Sequence, residues 1–79
     1  MTGKFKLRVM NPDKTLFEGP VGSVFVQGDK GEFELLAYHY PLMSILAPGR
    51  IIIDWQKYIP VKSGIIKFSE NDCIAIVEL

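Results

Sequence analysis

The chain has 79 residues, enough for one small domain that buries roughly 60–65% of the surface its unfolded form exposes. Nine Lys+Arg offset nine Asp+Glu, so there is no surplus of cations to displace counterions from phosphates, and nucleic acid is disfavoured as a partner. One cysteine, Cys73, leaves no intrachain disulfide or thiolate metal cluster and fits a reducing compartment.

The amino terminus, MTGKFKLRVM, carries lysines without the apolar core of a secretory signal. Lys4 to Met10 alternates, with Phe5, Leu7 and Val9 on one side and Lys4, Lys6 and Arg8 on the other, which predicts a half-buried strand. Asn11-Pro12-Asp13-Lys14 is a turn, with proline presetting φ and the Asn side chain placed to bond the backbone ahead. Thr15 to Gly19 predicts a second strand that Gly19-Pro20 breaks, and Val21 to Gln27 a third. Gly28-Asp29-Lys30-Gly31 supplies the positive-φ positions of a tight connection.

Phe33 to Leu36 is a short strand, and Leu42 to Leu46 fits a strand or one helical turn; we read it as a strand. Arg50 to Asp54 and Tyr58 to Lys62 flank a turn at Trp55-Gln56-Lys57, and Pro60 puts the second of these strands at an edge or at a bulge. Ser63-Gly64 marks a bulge or bend before Ile65 to Phe68. Glu70-Asn71-Asp72 is a polar turn, and Cys73 to Leu79 is the last strand. No apolar run approaches the ~18 residues of a bilayer span, so any membrane association is expected to be indirect. Many short strands separated by Gly, Pro, Asn and Asp predict a single all-β domain over residues 1–79, a flattened sandwich or barrel of antiparallel strands.

Little catalytic chemistry is legible. Ser23, Ser44, Ser63 and Ser69 lie outside any G-x-S-x-G elbow. The lone His39 is too few for a histidine-rich zinc site, and no phosphate-binding Walker loop is present. Glu32 and Glu34 alternate along one strand face, and a solvated polar face is the simpler reading than paired acids. His39, one residue from the Tyr40-Pro41 step, reads as a structural hydrogen-bond donor at a turn. Tyr38 and Tyr40 fit core or contact roles equally, and Trp55 is either an exposed anchor or folds back over the sheet. Cys73, inside Cys73-Ile74-Ala75-Ile76-Val77, reads as a small hydrophobe. The expectation is a chain without catalytic residues, cofactor or metal.

The densest stretch is Gly31 to Gly49, and its pattern G-E-F-x-L-L-x-x-H-x-P-L-x-x-x-L-x-P-G resembles the amino-terminal domain of the epsilon subunit of F-type ATP synthases. The flanks agree: Phe5 to Met10, Leu16-Phe17-Glu18-Gly19, Ser23-Val24-Phe25-Val26 with Gly28, and Val61-x-Ser63-Gly64 are similar to successive family segments, so the resemblance covers Phe5 to Leu79. Departures are Glu34 where the family usually has glycine, Tyr38 and Tyr40 where it has smaller residues, and Ile65-Ile66 after the serine-glycine pair where Gly-Phe is commoner. The helical hairpin that commonly follows in the family is absent from these residues.

The resemblance implies a non-catalytic rotor subunit in the central stalk of a proton-translocating synthase, coupling the c-ring to the gamma subunit and the catalytic head. The implied place is peripheral, on the cytoplasmic face of the bacterial inner membrane or an equivalent organelle membrane. Asp29, Lys30, Gly31 and Glu32 would form the ring-facing turn, and Asn11, His39, Pro41, Leu42 and Ser44 the gamma-facing side. The alternative is a lipoyl- or biotin-carrier-like sandwich presenting Lys30 at its turn, although the usual residues around an attachment lysine are missing. A small barrel binding single strands on exposed aromatics is disfavoured by the neutral charge.

Overall fold

The computed structural model describes residues 3–79. Nine strands follow one another: β1 (Phe5–Met10), β2 (Thr15–Val21), β3 (Ser23–Gly28), β4 (Gly31–Leu36), β5 (Leu42–Leu46), β6 (Gly49–Ile53), β7 (Lys57–Val61), β8 (Ser63–Ser69) and β9 (Asp72–Glu78). They form one curled sheet in the order β2-β1-β9-β8-β5-β3-β6-β7, with β4 paired on β3. The curl brings two halves face to face as a half-barrel measuring 31 × 26 × 22 Å. There is no helix among the described residues, and hence none long and apolar enough to cross a membrane.

The alternation read in β1 holds: Phe5, Leu7 and Val9 are buried while Lys6 and Arg8 face outward. Between the halves these meet Val24, Val26, Leu35, Ile51, Ile53, Ile66, Phe68 and Cys73. The rings of Phe5 and Phe68 meet edge to face at 5.1 Å, the arrangement favoured by the charge distribution of aromatic rings. Leu42 to Leu46 is a strand, paired with β8 from Leu42↔Phe68 to Leu46↔Gly64.

Three local expectations need correction. Gly19-Pro20 does not break β2, which continues to Val21 with Pro20 opposite Lys6. Because β2 is an edge strand, proline's missing N–H costs no central ladder bond there. Ser63-Gly64 is not a bulge: the β8–β9 register runs unbroken from Ser63↔Glu78 to Ser69↔Asp72. Gly64 is needed for close approach, since a Cβ there would stand 2.6 Å from the Ile76 carbonyl oxygen. The register shift lies instead at Val9/Met10. The strands are antiparallel with one exception, the parallel pairing of β1 with β9. These two strands are separated by nearly the whole chain, so no short connection forces them to run in opposite directions. Pro60 lies on β7, the opposite edge, as its chemistry requires.

Candidate partner-binding surfaces

At one end of the half-barrel, β3 and β4 are joined by the two-residue turn Asp29-Lys30, with Gly28 opposite Gly31. Only Gly31 of this turn has a positive φ, +131°. Gly28 is small for another reason, because a Cβ there would meet the Phe33 ring at 2.9 Å and the Gly31 oxygen at 3.0 Å. The turn is pinned to β5 by Asp29 N–H donating to Ile45 O (2.9 Å) and Ala47 N–H to Gln27 O (2.8 Å). The Gln27 amide then donates through Nε2 to Glu32 (3.3 Å) and accepts at Oε1 from Arg50 N–H (3.3 Å). Gly49 leaves the room that the Gln27 side chain occupies. Asp29, Lys30, Gly31 and Glu32 are thus exposed on a braced turn.

The other five sequence-derived positions do not come together. Asn11 closes its own turn, its Oδ1 accepting from Asp13 and Lys14 N–H at 2.8 Å each. It follows Met10, which is paired with Ile76, and so lies at the same end as the Asp29-Lys30 turn. His39 and Pro41 lie at the opposite end, beyond the Leu42↔Phe68 pair. The Nδ1 of His39 lies 2.7 Å from the Tyr40 carbonyl. A carbonyl only accepts, so the proton is on Nδ1 and the ring acts as the structural donor expected of it. The ring also stacks on Tyr40 at 4.5 Å and meets the edge of Phe68 at 5.8 Å. Tyr38 and Tyr40 are exposed, and Tyr38, at φ 67°, is held by its N–H donating to Asn71 Oδ1 at 2.6 Å. Leu42 packs against the core. Ser44 lies on the same side of β5 as Leu42, its Oγ bonded to Ile45 O and next to Gly28.

The outward side chains of β5 are Met43 and Ile45, which sequence reasoning passed over. They are 64% and 57% exposed. Ile45 is in register with Ile65, Ile65 with Ile76, and Ile76 with Met10, so an aliphatic row crosses β5, β8, β9 and β1. The neighbouring row reads Met43, Lys67, Ile74 and Arg8. The period-two rule would have found this face had the inward side of β5 been identifiable, but Leu-Met-Ser-Ile-Leu is apolar on both sides.

On the other half, the outer face of β4, β3, β6 and β7 aligns Glu34, Phe25, Ile52 and Tyr58. Trp55 folds back over it, its ring 5.1 Å from Phe25 and its Nε1–H donating to Glu34 at 2.9 Å. Arg50 lies over Tyr58 at 5.3 Å. The hairpin carrying Trp55 is fixed by Asp54, whose Oδ1 accepts from Gly22 N–H (2.7 Å) and Ser23 N–H (3.0 Å).

Cys73 is fully buried, and burial first, the charge of Asp72 second, pushes its thiol from about 9 up to about 12. It is a packing residue and not a nucleophile. Among the described residues no three His, Cys, Asp or Glu side chains converge to hold a metal ion.

Residues 4–78 match the family model of the β-sandwich domain of the ATP synthase delta/epsilon chain. The chain is 38% identical over 77 residues to an ATP synthase epsilon chain of a Nitratiruptor species, covering 92% of this chain and 60% of that one. It is 35% identical over 78 residues to an ATP synthase epsilon chain of Protochlamydia amoebophila, covering 94% and 53%. It therefore spans between half and two thirds of the length of these relatives. In fold it is similar to a chain of the Tetrahymena thermophila mitochondrial ATP synthase central stalk and c-ring, with a TM-score of 0.81 at 12% identity over 98% of this chain and 65% of that one. A chain of the Euglena gracilis mitochondrial ATP synthase gives 0.85 at 18% identity, covering 98% and 52%.

Proposed function

The chain belongs to the delta/epsilon-chain family of ATP synthases, through the family's β-sandwich domain, and from that membership we propose that it is a non-catalytic subunit of the central stalk. In this reading it rides between the c-ring and the gamma subunit and passes ring rotation towards the catalytic head. It is peripheral to the membrane, on the cytoplasmic face in a bacterium or the equivalent side of an organelle membrane. The observation that carries the reading is the braced turn at one end of the half-barrel. Asp29, Lys30 and Glu32 project from a connection whose backbone is tied to β5 and whose acid Glu32 is tied to Gln27. A turn held in this way presents fixed charges to polar loops of a ring and transmits load without collapsing.

His39 and Pro41 are proposed to touch gamma from the opposite end, and Asn11, Leu42 and Ser44 to support the gamma-facing surface through turn geometry and packing. The carrier-domain alternative is not favoured, because the relatives are epsilon chains and nothing around Lys30 distinguishes it as an attachment site. Affinity-tagged chain, expressed in its native host and recovered from gently solubilised membranes, tests the reading. Co-recovery of gamma with the alpha, beta and c subunits is expected. Recovery of none of them, where a tagged catalytic subunit brings down the whole complex, overturns it.

A further inference from the structure

At the end of the half-barrel opposite the Asp29-Lys30 turn, the β4–β5 and β8–β9 connections border an open groove of about 500 Å³. Its lining is Tyr38, His39, Tyr40, Pro41, Glu70 and Asn71. The chain itself fixes these walls. Tyr38, Glu70 and Asn71 all have positive φ, at 67°, 52° and 59°, a conformation that residues with side chains keep only where their surroundings hold it. Asn71 supplies much of that hold, its Oδ1 accepting from Tyr38 N–H at 2.6 Å and its carbonyl from Lys6 N–H at 3.0 Å. His39 N–H donates to the Leu36 carbonyl at 3.2 Å and closes the other connection. The Tyr38 ring rests against Gly3, where a Cβ would stand 2.8 Å from it. The Tyr40 ring is stacked on His39, which is propped in turn against Phe68. Both tyrosines are nevertheless exposed, 69% and 73%, so two rings on a rigid support offer their surfaces to solvent.

The lining decides the chemistry of a guest. The groove combines aromatic faces with the Glu70 carboxylate, and no lysine or arginine borders it. Glu70 also borders the neighbouring cleft that holds Arg8 and Lys67, yet among the described residues it makes no ion pair, and Arg8 is engaged with Asp72 at 3.4 Å. An anion placed here would meet like charge. A neutral apolar guest would strip water from the carboxylate and return nothing for it. A cation gains from the ring faces and from the carboxylate together. Among cations a methylated ammonium suits an open groove best, because it gives up little hydration and is recognised through aromatic faces without hydrogen bonds. We propose that this groove binds a small organic cation of the methylated-ammonium class, held against the rings of Tyr38 and Tyr40 and facing Glu70. The inference is independent of the stalk reading, since it uses only the two connections and their side chains.

The test is a proton NMR titration of the full chain with choline, run beside the neutral isostere in which carbon replaces the quaternary nitrogen. Choline is expected to shift the ring signals of Tyr38 and Tyr40, and its own N-methyl signal is expected to move upfield under their ring currents. The isostere is expected to bind several-fold more weakly. Thermal melts establish that each variant is folded. Tyr40→Leu and Glu70→Gln are each expected to weaken choline binding about three- to fivefold, and Tyr40→Phe, which keeps the ring, to stay within about twofold of wild type. Lys67→Ala is expected to tighten binding, because it removes a cation from the far side of Glu70. Equal shifts with choline and the isostere, shifts at Trp55 and Tyr58 in place of the two groove tyrosines, or a Tyr40→Leu chain that binds like wild type would each overturn the site. Such a failure leaves the stalk reading untouched, since the membrane co-recovery tests that reading separately.

Discussion

On the outer side of β4–β3–β6–β7, Trp55 and Tyr58 are each 59% exposed, and on the outer side of β1–β9–β8–β5, Ile45 is 57% and Ile76 48% exposed. By area the two faces look alike, yet their surroundings differ. The aromatic side is provided for within the chain: the Trp55 indole donates to Glu34, its ring leans on Phe25, and Arg50 covers Tyr58. The aliphatic side has side chains with no polar handle, and among the described residues Lys67 makes no ion pair although Glu70 and Asp72 lie near it. Exposure alone therefore does not mark a contact surface. What marks it is exposure that the chain's own neighbours leave unused.

The widest test of this contrast strikes the layer beneath it. Phe68, which packs on Phe5 under the aliphatic side, should cost about 3–5 kcal/mol as Phe68→Ala, read by chemical denaturation. Because one core underlies both halves, a single cooperative transition by tryptophan fluorescence and by circular dichroism is expected. Two separate transitions would show that the faces belong to separable units.

Next in size is the thiol beneath the aliphatic side. The folded chain holds Cys73 protonated up to about 12, whereas the unfolded chain releases its proton near 9. Between these values the unfolded state binds fewer protons, so stability falls as pH rises, by at most about 1.4 kcal/mol per pH unit from this group. The contribution is fully present below pH 9. Cys73→Val should remove that slope, seen as the difference between the two denaturation profiles from neutral pH to alkaline. An identical slope in both would mean that the thiol is hydrated.

Smaller effects separate the faces directly. Glu34→Ala removes the acceptor for the Trp55 indole and should cost about 0.5–1.5 kcal/mol, with a red shift of tryptophan emission as the ring swings into water. Ile65→Thr, with no partner in the isolated chain, should change stability by no more than about 0.5 kcal/mol. Should Ile65→Thr prove the costlier of the two, the aliphatic side would be packed within the chain and the contrast would fail.

How much of this was legible in the sequence depended on whether polarity distinguished the two sides of a strand. In β1 it did, because every second residue from Lys4 to Arg8 is a cation, and the buried set was read correctly. Pro60 disclosed an edge because a missing donor has few tolerable positions. Pro20 was read too severely for the same reason, since an edge strand tolerates it without ending. In β5 the only polar side chain, Ser44, lies on the inner side next to Gly28. Polarity there does not mark the exposed side that carries Met43 and Ile45, and Leu42 and Ser44 were named as contacts from the family resemblance alone. Partners distant in sequence, such as Asp54 with Gly22 and Glu34 with Trp55, are set by the curl of the whole sheet and leave no local trace. The composition of the Asp29-Lys30 turn was legible, and its bracing through Gln27, Ala47 and Arg50 was not.

The parallel pairing of β1 with β9 also governs when this fold can exist. The first strand lies between β2 and the last, so the interior of the sheet is completed only when residues 72–78 arrive. On a ribosome, the β1–β2 hairpin must wait until residues 72–78 have been made, with one ladder edge open. Loop closure of this span comes late and slows folding relative to a meander of the same size, placing it in the millisecond-to-second range of non-local β topologies. A nascent chain stalled a few residues short of Glu78 should therefore be sensitive to proteases and chaperones along its whole length.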